Sequence, residues 1–283
     1  MSKIISIANP KGGVGKTTTT INLAASLAIA EKRVLIIDLD PNGAVSLGLG
    51  LNHNGNETGI FEIFLGTADL LDSVQSYELL NMDIIPCNIT NNEKETRLLE
   101  LAKNRGTLKR KIYDLIRKDK LNYDYIIIDT PPALNDLTIA ALSTSNSVII
   151  PLQCGYYAIK VVERLMQMIR RLKISINPNL KIEGILLNLY DKGTKESRRA
   201  VDKAKLIFKD LVFNTVIPKN TTVGFASFEK KPVVLMDACA SGSVAYLQLA
   251  KEILNKNELL NRFYQTQQLH PVIHNPQYHN IGY

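Results

Sequence analysis

Residues Lys11-Gly12-Gly13-Val14-Gly15-Lys16-Thr17-Thr18 stand between a short apolar run over 3–8 and a segment over 16–30 whose apolar residues recur at helical spacing. A glycine-rich loop that leaves a strand and opens a helix is the setting of a phosphate-binding loop. The glycines let the backbone bend so that successive N–H groups face one anion, and the helix N-terminus adds partial positive charge. In that setting Lys16 is expected to reach the β- and γ-phosphates and the Thr17 hydroxyl to ligate Mg²⁺. The ordinary GxxxxGK[ST] pattern is not met, because Pro10 holds its first glycine position; KGGxGK[ST] fits. At average residue usage six such fixed positions coincide by chance in roughly one window in several million. A plain glycine turn is therefore the weaker reading.

The remainder of the chain repeats strand, loop and helix. Strands are expected over 33–38, 82–86, 123–129, 147–151, 182–189 and 214–217, and helices over 107–118, 158–172, 195–209 and 242–254. The strand segments are unbroken Val/Ile/Leu runs rather than alternating ones, as in parallel strands covered on both faces. The predicted fold is α/β, a doubly wound, mostly parallel sheet. Two of these strands end in acids followed by proline: Asp38-Leu39-Asp40-Pro41 and Asp129-Thr130-Pro131-Pro132. Carboxyl ends of strands are where open α/β sheets bind ligands, and hard oxygens beside phosphates suit Mg²⁺.

Composition narrows the class. With 45% hydrophobic and 22% charged residues and no apolar run of eighteen, the chain reads as an ordinary soluble protein with no spanning helix. The start of the chain lacks the pattern of a secretory signal, and Cys87, Cys154 and Cys239 form no CxxC, which points to a reducing, cytoplasmic setting. One domain is expected over 1–256. Residues 257–283, rich in Gln, Asn and His, are expected to be a weakly ordered polar tail.

The loop, with a second lysine at Lys11, resembles the deviant P-loop of the ParA/MinD family of ATPases. The resemblance extends over about 3–255, through 123–132, Pro151-Leu152-Gln153 with Tyr156 and Tyr157, 184–191, 216–220, Lys231-Pro232-Val233 and 245–254. The order and spacing look like the short, chromosome-type ParA proteins also called Soj, with no DNA-reading module expected ahead of the loop. The resemblance implies ATP and Mg²⁺ as cofactors, and a homodimer interface that Lys11 crosses to reach phosphates held by the other copy. It implies that Lys16 and Lys11 act with Asp40, which positions the attacking water, that Asp38 lies near the metal, and that Asp129 is the Walker B acid. By the same resemblance Gly12, Gly13, Val14, Gly15, Thr17 and Thr18 cradle the phosphates, while Asn188 and Pro218 flank the adenine. The chain departs from the family at Asn42, where Gln is usual, at Gly155, where an acid is common, and over 221–227.

The net charge of +7 permits a polyanion partner. Lys195, Arg199 and Lys203 recur every four residues on one predicted helix face, with Arg198 beside them and Lys219 further on. By resemblance these residues bind DNA without sequence preference, placing the protein on the nucleoid, and a ParB-like partner stimulates slow hydrolysis. A second cluster is Lys109, Arg110, Lys111, Arg117, Lys118 and Lys120. The rival readings are a MinD-like membrane-associated ATPase, positioning of another cargo, an iron protein bridging a cluster through cysteines, and a tyrosine kinase with a tail bearing Tyr264, Tyr278 and Tyr283. A metal site at His270, His274 and His279 is disfavoured by Pro271 and Pro276.

Overall fold

The computed structural model describes residues 2–51, 58–155 and 158–269. Tyr156, Tyr157, His270, His274, His279, Tyr278 and Tyr283 therefore lie outside the described residues. Among those described, the strands are β1 (Lys3–Ile7), β2 (Val34–Asp38), β3 (Gln75–Ser76), β4 (Met82–Ile85), β5 (Tyr125–Asp129), β6 (Ser147–Gln153), β7 (Lys181–Tyr190) and β8 (Val212–Pro218). They form one sheet in the order β3-β4-β2-β5-β1-β6-β7-β8, parallel throughout except for the β3–β4 pair. The helices are α1 (Lys16–Ile29), α2 (Ala44–Gly48), α3 (Ile60–Leu65), α4 (Asn92–Ala102), α5 (Thr107–Arg117) and α6 (Asp136–Thr144), then α7 (Ala158–Ser175), α8 (Lys195–Phe208), α9 (Thr221–Phe228), α10 (Val233–Met236) and α11 (Ser241–Leu269).

The continuous apolar runs are explained by burial on both faces. Ile5, Ile7, Val34, Ile36, Tyr125 and Ile127 pack with α1, α10 and α11. Their alternates Ile4, Leu35, Ile37, Ile126 and Ile128 pack with α3 to α6, and Val148, Ile150 and Leu187 with α7 and α8. Period-two alternation in a strand sends successive side chains to opposite sides, so a strand with two covers must be apolar at every position. The doubly wound, mostly parallel sheet expected from these runs is the fold observed.

From β1 the chain crosses to β2 on one side, whereas β6 leads to β7 and β8 on the other. The winding therefore reverses at β1–β6. That is where such sheets open a crevice beyond their carboxyl ends, and it is where the glycine loop emerges.

The last helix differs from the expectation. It continues to Leu269 instead of stopping at Leu254. Residues 255–269 contain neither Gly nor Pro, and the first breaker is Pro271, so nothing in the local chemistry ends the helix earlier.

Candidate nucleotide-binding site

The loop between β1 and α1 takes its shape from two left-handed glycines, Gly13 (φ +70°) and Gly15 (φ +85°). Gly15 is the N-cap of α1 and makes no side-chain cap, so the first N–H groups of the helix are left for a ligand. Asn9 braces the loop mouth. Its Nδ2 donates to the Pro151 carbonyl (2.7 Å) and its Oδ1 accepts from the Lys11 N–H (2.9 Å).

The two lysines differ in setting. Lys16 is buried, and its ammonium lies 3.5 Å from the Lys11 carbonyl. Burial lowers its pKa, opposed by the charges of Asp129 and Asp40. Lys11 is exposed at the rim, its ammonium donating to Gln153 Oε1 (3.0 Å) at the end of β6.

Asp38 and Asp129 end the adjacent strands β2 and β5 and are register partners. Both are wholly buried. Asp129 accepts from the Thr17 hydroxyl (2.7 Å) and the Thr20 hydroxyl (3.0 Å). Burial pushes its pKa up to about 6 despite those bonds. Burial, then the charge of Asp129, raises Asp38 well above the usual carboxylate range. Asp38 is fixed by the N–H groups of Asp40 (3.0 Å) and Val45 (3.1 Å). Asp40 is 6% exposed, and its Oδ1 accepts both the backbone N–H (3.1 Å) and the side-chain amide (2.9 Å) of Asn42. The shorter amide at that departure from the family thus holds Asp40 directly.

Three buried carboxylates facing one buried ammonium leave an excess of negative charge, which a divalent cation relieves. Among the described residues no group of three His, Cys, Asp or Glu side chains forms a metal cage. Mg²⁺ binds through one or two protein oxygens and completes its shell with water and phosphate. The Thr17 hydroxyl, with Asp38 and Asp129 behind it, fits that role.

Beside the loop is a pocket of about 170 Å³ lined by Gly15, Thr18, Asn188, Pro218, Val223 and Tyr246 among others. Asn188 and Pro218 thus reach one cavity with the loop. Asn188 also acts on the loop itself. Its Nδ2 donates to the Val14 carbonyl (2.9 Å), and its Oδ1 accepts from the Leu189 N–H (2.8 Å), with Leu189 at φ +54°. A Cβ on Gly15 would lie 2.4 Å from that Nδ2. Glycine is therefore required there by contact as well as by φ.

Lys195, Arg198, Arg199 and Lys203 are exposed on α8, as the spacing implied, and Lys219 is exposed just after β8. The four cations of α8 are not among the residues lining the cavity, whereas Lys219 is one of them. Sequence reasoning missed Thr20 and Tyr246. Thr20 lies three residues after Thr17 on the same helix face, a spacing that could have revealed it; Tyr246 is far along the chain and carried no local signal.

A reversal point in a doubly wound sheet, a glycine loop with a buried lysine, and acids on two neighbouring strands define a P-loop nucleotide-hydrolase fold. Residues 2–182 match the family model described as AAA domain. The sporulation initiation inhibitor protein Soj of Bacillus subtilis is 42% identical over 253 residues, covering 89% of this chain and 98% of its own. The chromosome partitioning protein ParA of Caulobacter vibrioides is 38% identical over 256 residues, 90% of this chain and 94% of its own. The septum site-determining protein MinD of Pyrococcus horikoshii, solved with Mg-ADP, matches with a TM-score of 0.74 at 25% identity, covering 89% of this chain and 96% of its own. This chain belongs to the ParA/MinD family of P-loop ATPases and is close to Soj.

Proposed function

We propose that this protein is a partitioning ATPase in which Mg·ATP joins two copies, the dimer binds DNA without sequence preference, and a DNA-bound ParB-like partner triggers hydrolysis and release. ATP and Mg²⁺ are carried over from the relatives, and the chain's own residues support the reading. Lys16, buried at the start of α1, neutralises charge on the β- and γ-phosphates in this reading. Thr17, Asp38 and Asp129 hold Mg²⁺, which when bound draws charge off the phosphate oxygens. Asn42 fixes Oδ1 of Asp40, so the other oxygen of Asp40 orients the attacking water. With no strong base at this point, phosphoryl transfer depends on positioning and electrostatics, and unstimulated turnover is slow. The pocket beside the loop takes the nucleoside.

The observation that carries the dimer is the contrast between the two lysines. Lys16 is inside; Lys11 is at the rim, its ammonium bonded to the Gln153 side chain. A cation so placed is free to meet phosphate on a facing copy, where exclusion of water strengthens the contact. Isologous two-fold pairing is also the commonest assembly. The test is sedimentation of Asp40→Ala saturated with Mg·ATP. Dimers are expected, reverting to monomers when Lys11→Ala is added. Monomers alone in the Asp40 variant would overturn the reading.

Under this proposal the cell location is the nucleoid. Among the described residues no helix is long and apolar enough to cross a membrane.

A further inference from the structure

Helix α7 carries five basic residues, Lys160, Arg164, Arg170, Arg171 and Lys173, against one acid, Glu163. Helix α8 carries five more against two acids. The surplus of these two helices equals the +7 of the whole chain, so the rest of the molecule is neutral on balance. Helix α5 is basic as well, with Lys109, Arg110, Lys111 and Arg117 against Asp114, and its surplus is offset by acids elsewhere in the chain.

On α7 the buried stripe is Ile159, Val162, Leu165, Ile169 and Leu172. At 3.6 residues per turn, Lys160, Arg164 and Arg171 fall within about 40° of one another on the opposite side. All three are exposed, and among the described residues none makes an ion pair. On α8 the exposed ridge is Lys195, Arg199 and Lys203, opposite Ser197, Ala204 and Phe208.

These helices are the crossovers of consecutive parallel strands, β6 to β7 and β7 to β8. Crossovers of one hand place them side by side on the same face, running in the same direction, and both fill the same core cluster. Four residues advance a helix by about 6 Å, so successive cations of the α8 ridge, and Lys160 and Arg164 on α7, stand about that far apart along their helices. The result is two parallel cationic ridges.

Resting on the proposed DNA binding, we infer that the α7 ridge of Lys160, Arg164 and Arg171 is a second phosphate contact, and that one DNA duplex is held across α7 and α8 together. Phosphates demand only closely spaced cations, which is what the ridge offers. A lipid surface would demand an apolar stripe to bury as well. The apolar stripe of α7 is spent on the core, and outward it shows Gln167 and Ile174 beside the charges.

The test compares the parent, K160A/R164A/R171A and R199A/K203A, each loaded with a non-hydrolysable ATP analogue. Binding to a random-sequence duplex is measured by anisotropy over a salt series, and ATP-analogue binding checks folding. Each residue that neutralises a phosphate adds about 0.9 to the slope of log K against log salt. The α7 triple variant is expected to bind DNA at least about tenfold more weakly at low salt, with a slope flatter by two to three, roughly one per residue lost, and with analogue binding unchanged. An unchanged slope and affinity in the α7 variant, with loss in the α8 variant, overturns the α7 contact and leaves the DNA reading standing. No loss in either variant overturns both. Flotation with phosphatidylserine vesicles that the α7 variant loses, while its DNA binding stays intact, overturns the choice of ligand.

Discussion

Asn188 ties strand β7 to the phosphate loop through one amide. Its donor goes to the Val14 carbonyl and its acceptor to Leu189, and it is 2% exposed. Asn188→Ala leaves both partners short of a bond in a buried setting, which costs about 1–3 kcal/mol. If that cost is borne by the loop, ATP affinity falls between about fivefold and a hundredfold. The kcat at saturation stays near the parent value, because Lys16, Thr17 and Asp40 are untouched. Titration with a fluorescent ATP analogue reads the effect, and equal affinity in the two proteins would remove Asn188 from the site. Asp129 gives a second expectation. Its folded pKa of about 6 lies above its unfolded value of 3.8, so the fold takes up a proton that the unfolded chain releases. The stabilisation from that proton is complete below about pH 4 and is lost as pH rises through 6. Mg²⁺ requires the ionised form, so Mg·ATP should raise the melting temperature more at pH 7.5 than at pH 5.5; an equal rise at both would reject the metal role. At this scale the sequence points to the candidate groups through short local motifs, Lys16 and Thr17 in the loop, Asp38 and Asp40 after one strand and Asp129 after another. It does not show the bond from Asn188 to Val14, because a contact between residues 174 apart leaves no local pattern.

Among the elements, the clearest tie lies at the opposite edge of the sheet from the loop. A bulge in the β6–β7 pairing at Val148/Ile149 leaves Glu183 unpaired in the register. Its side chain, 3% exposed, meets Lys3 (2.9 Å) and the Ser147 hydroxyl (2.5 Å). The Lys256 ammonium reaches the Glu183 carbonyl, and Asn257 bonds to both Lys3 (3.1 Å) and the Tyr125 hydroxyl (3.3 Å). This network pins α11 to the starts of β1, β5, β6 and β7. Glu183→Ala strips the buried ends of that network, and with Lys3 partly exposed the expected loss is about 2 kcal/mol. Urea unfolding measures it, and ATP affinity should not move, since the site is at the far edge; a fall in affinity would show that the two edges are coupled. The elements also separate what local chemistry dictates from what it does not. The buried strands and the long helices α1, α5, α7 and α8 were readable from period and length. Helices α4 and α6 were not expected although each begins at an Asn cap, Asn91 and Asn135, and neither were the short helices α2, α3, α9 and α10 and the two-residue strand β3, because elements of that size form only when packing supports them. The 221–227 segment illustrates this: α9 begins where Asn220 accepts from the N–H groups of Thr222 (2.7 Å) and Val223 (3.4 Å), a cap visible only once the strand before it has an end.

Across the whole molecule, the proposed function requires no moving part between the nucleotide and the basic helices. If each copy offers DNA a few phosphate contacts on α7 and α8, pairing two copies doubles the contacts on one duplex and raises avidity by about 10² to 10⁴ without altering any cation. ATP then acts on DNA through copy number alone. Lys11 isolates this effect, because it is exposed, bonded through its side chain among the described residues to Gln153, and distant in sequence from every basic residue of α7 and α8. Lys11→Ala should therefore bind ATP within about threefold of the parent and remain monomeric, because the loss of one rim hydrogen bond is small. Yet it should lose DNA retention by at least about a hundredfold, as severely as removal of the α8 cations. Duplex anisotropy with the ATP analogue, run beside sedimentation of the same sample, measures both. A Lys11→Ala protein that stays single and still holds DNA as the parent does would mean that ATP governs DNA binding from inside one copy, by a change of shape rather than a change of number.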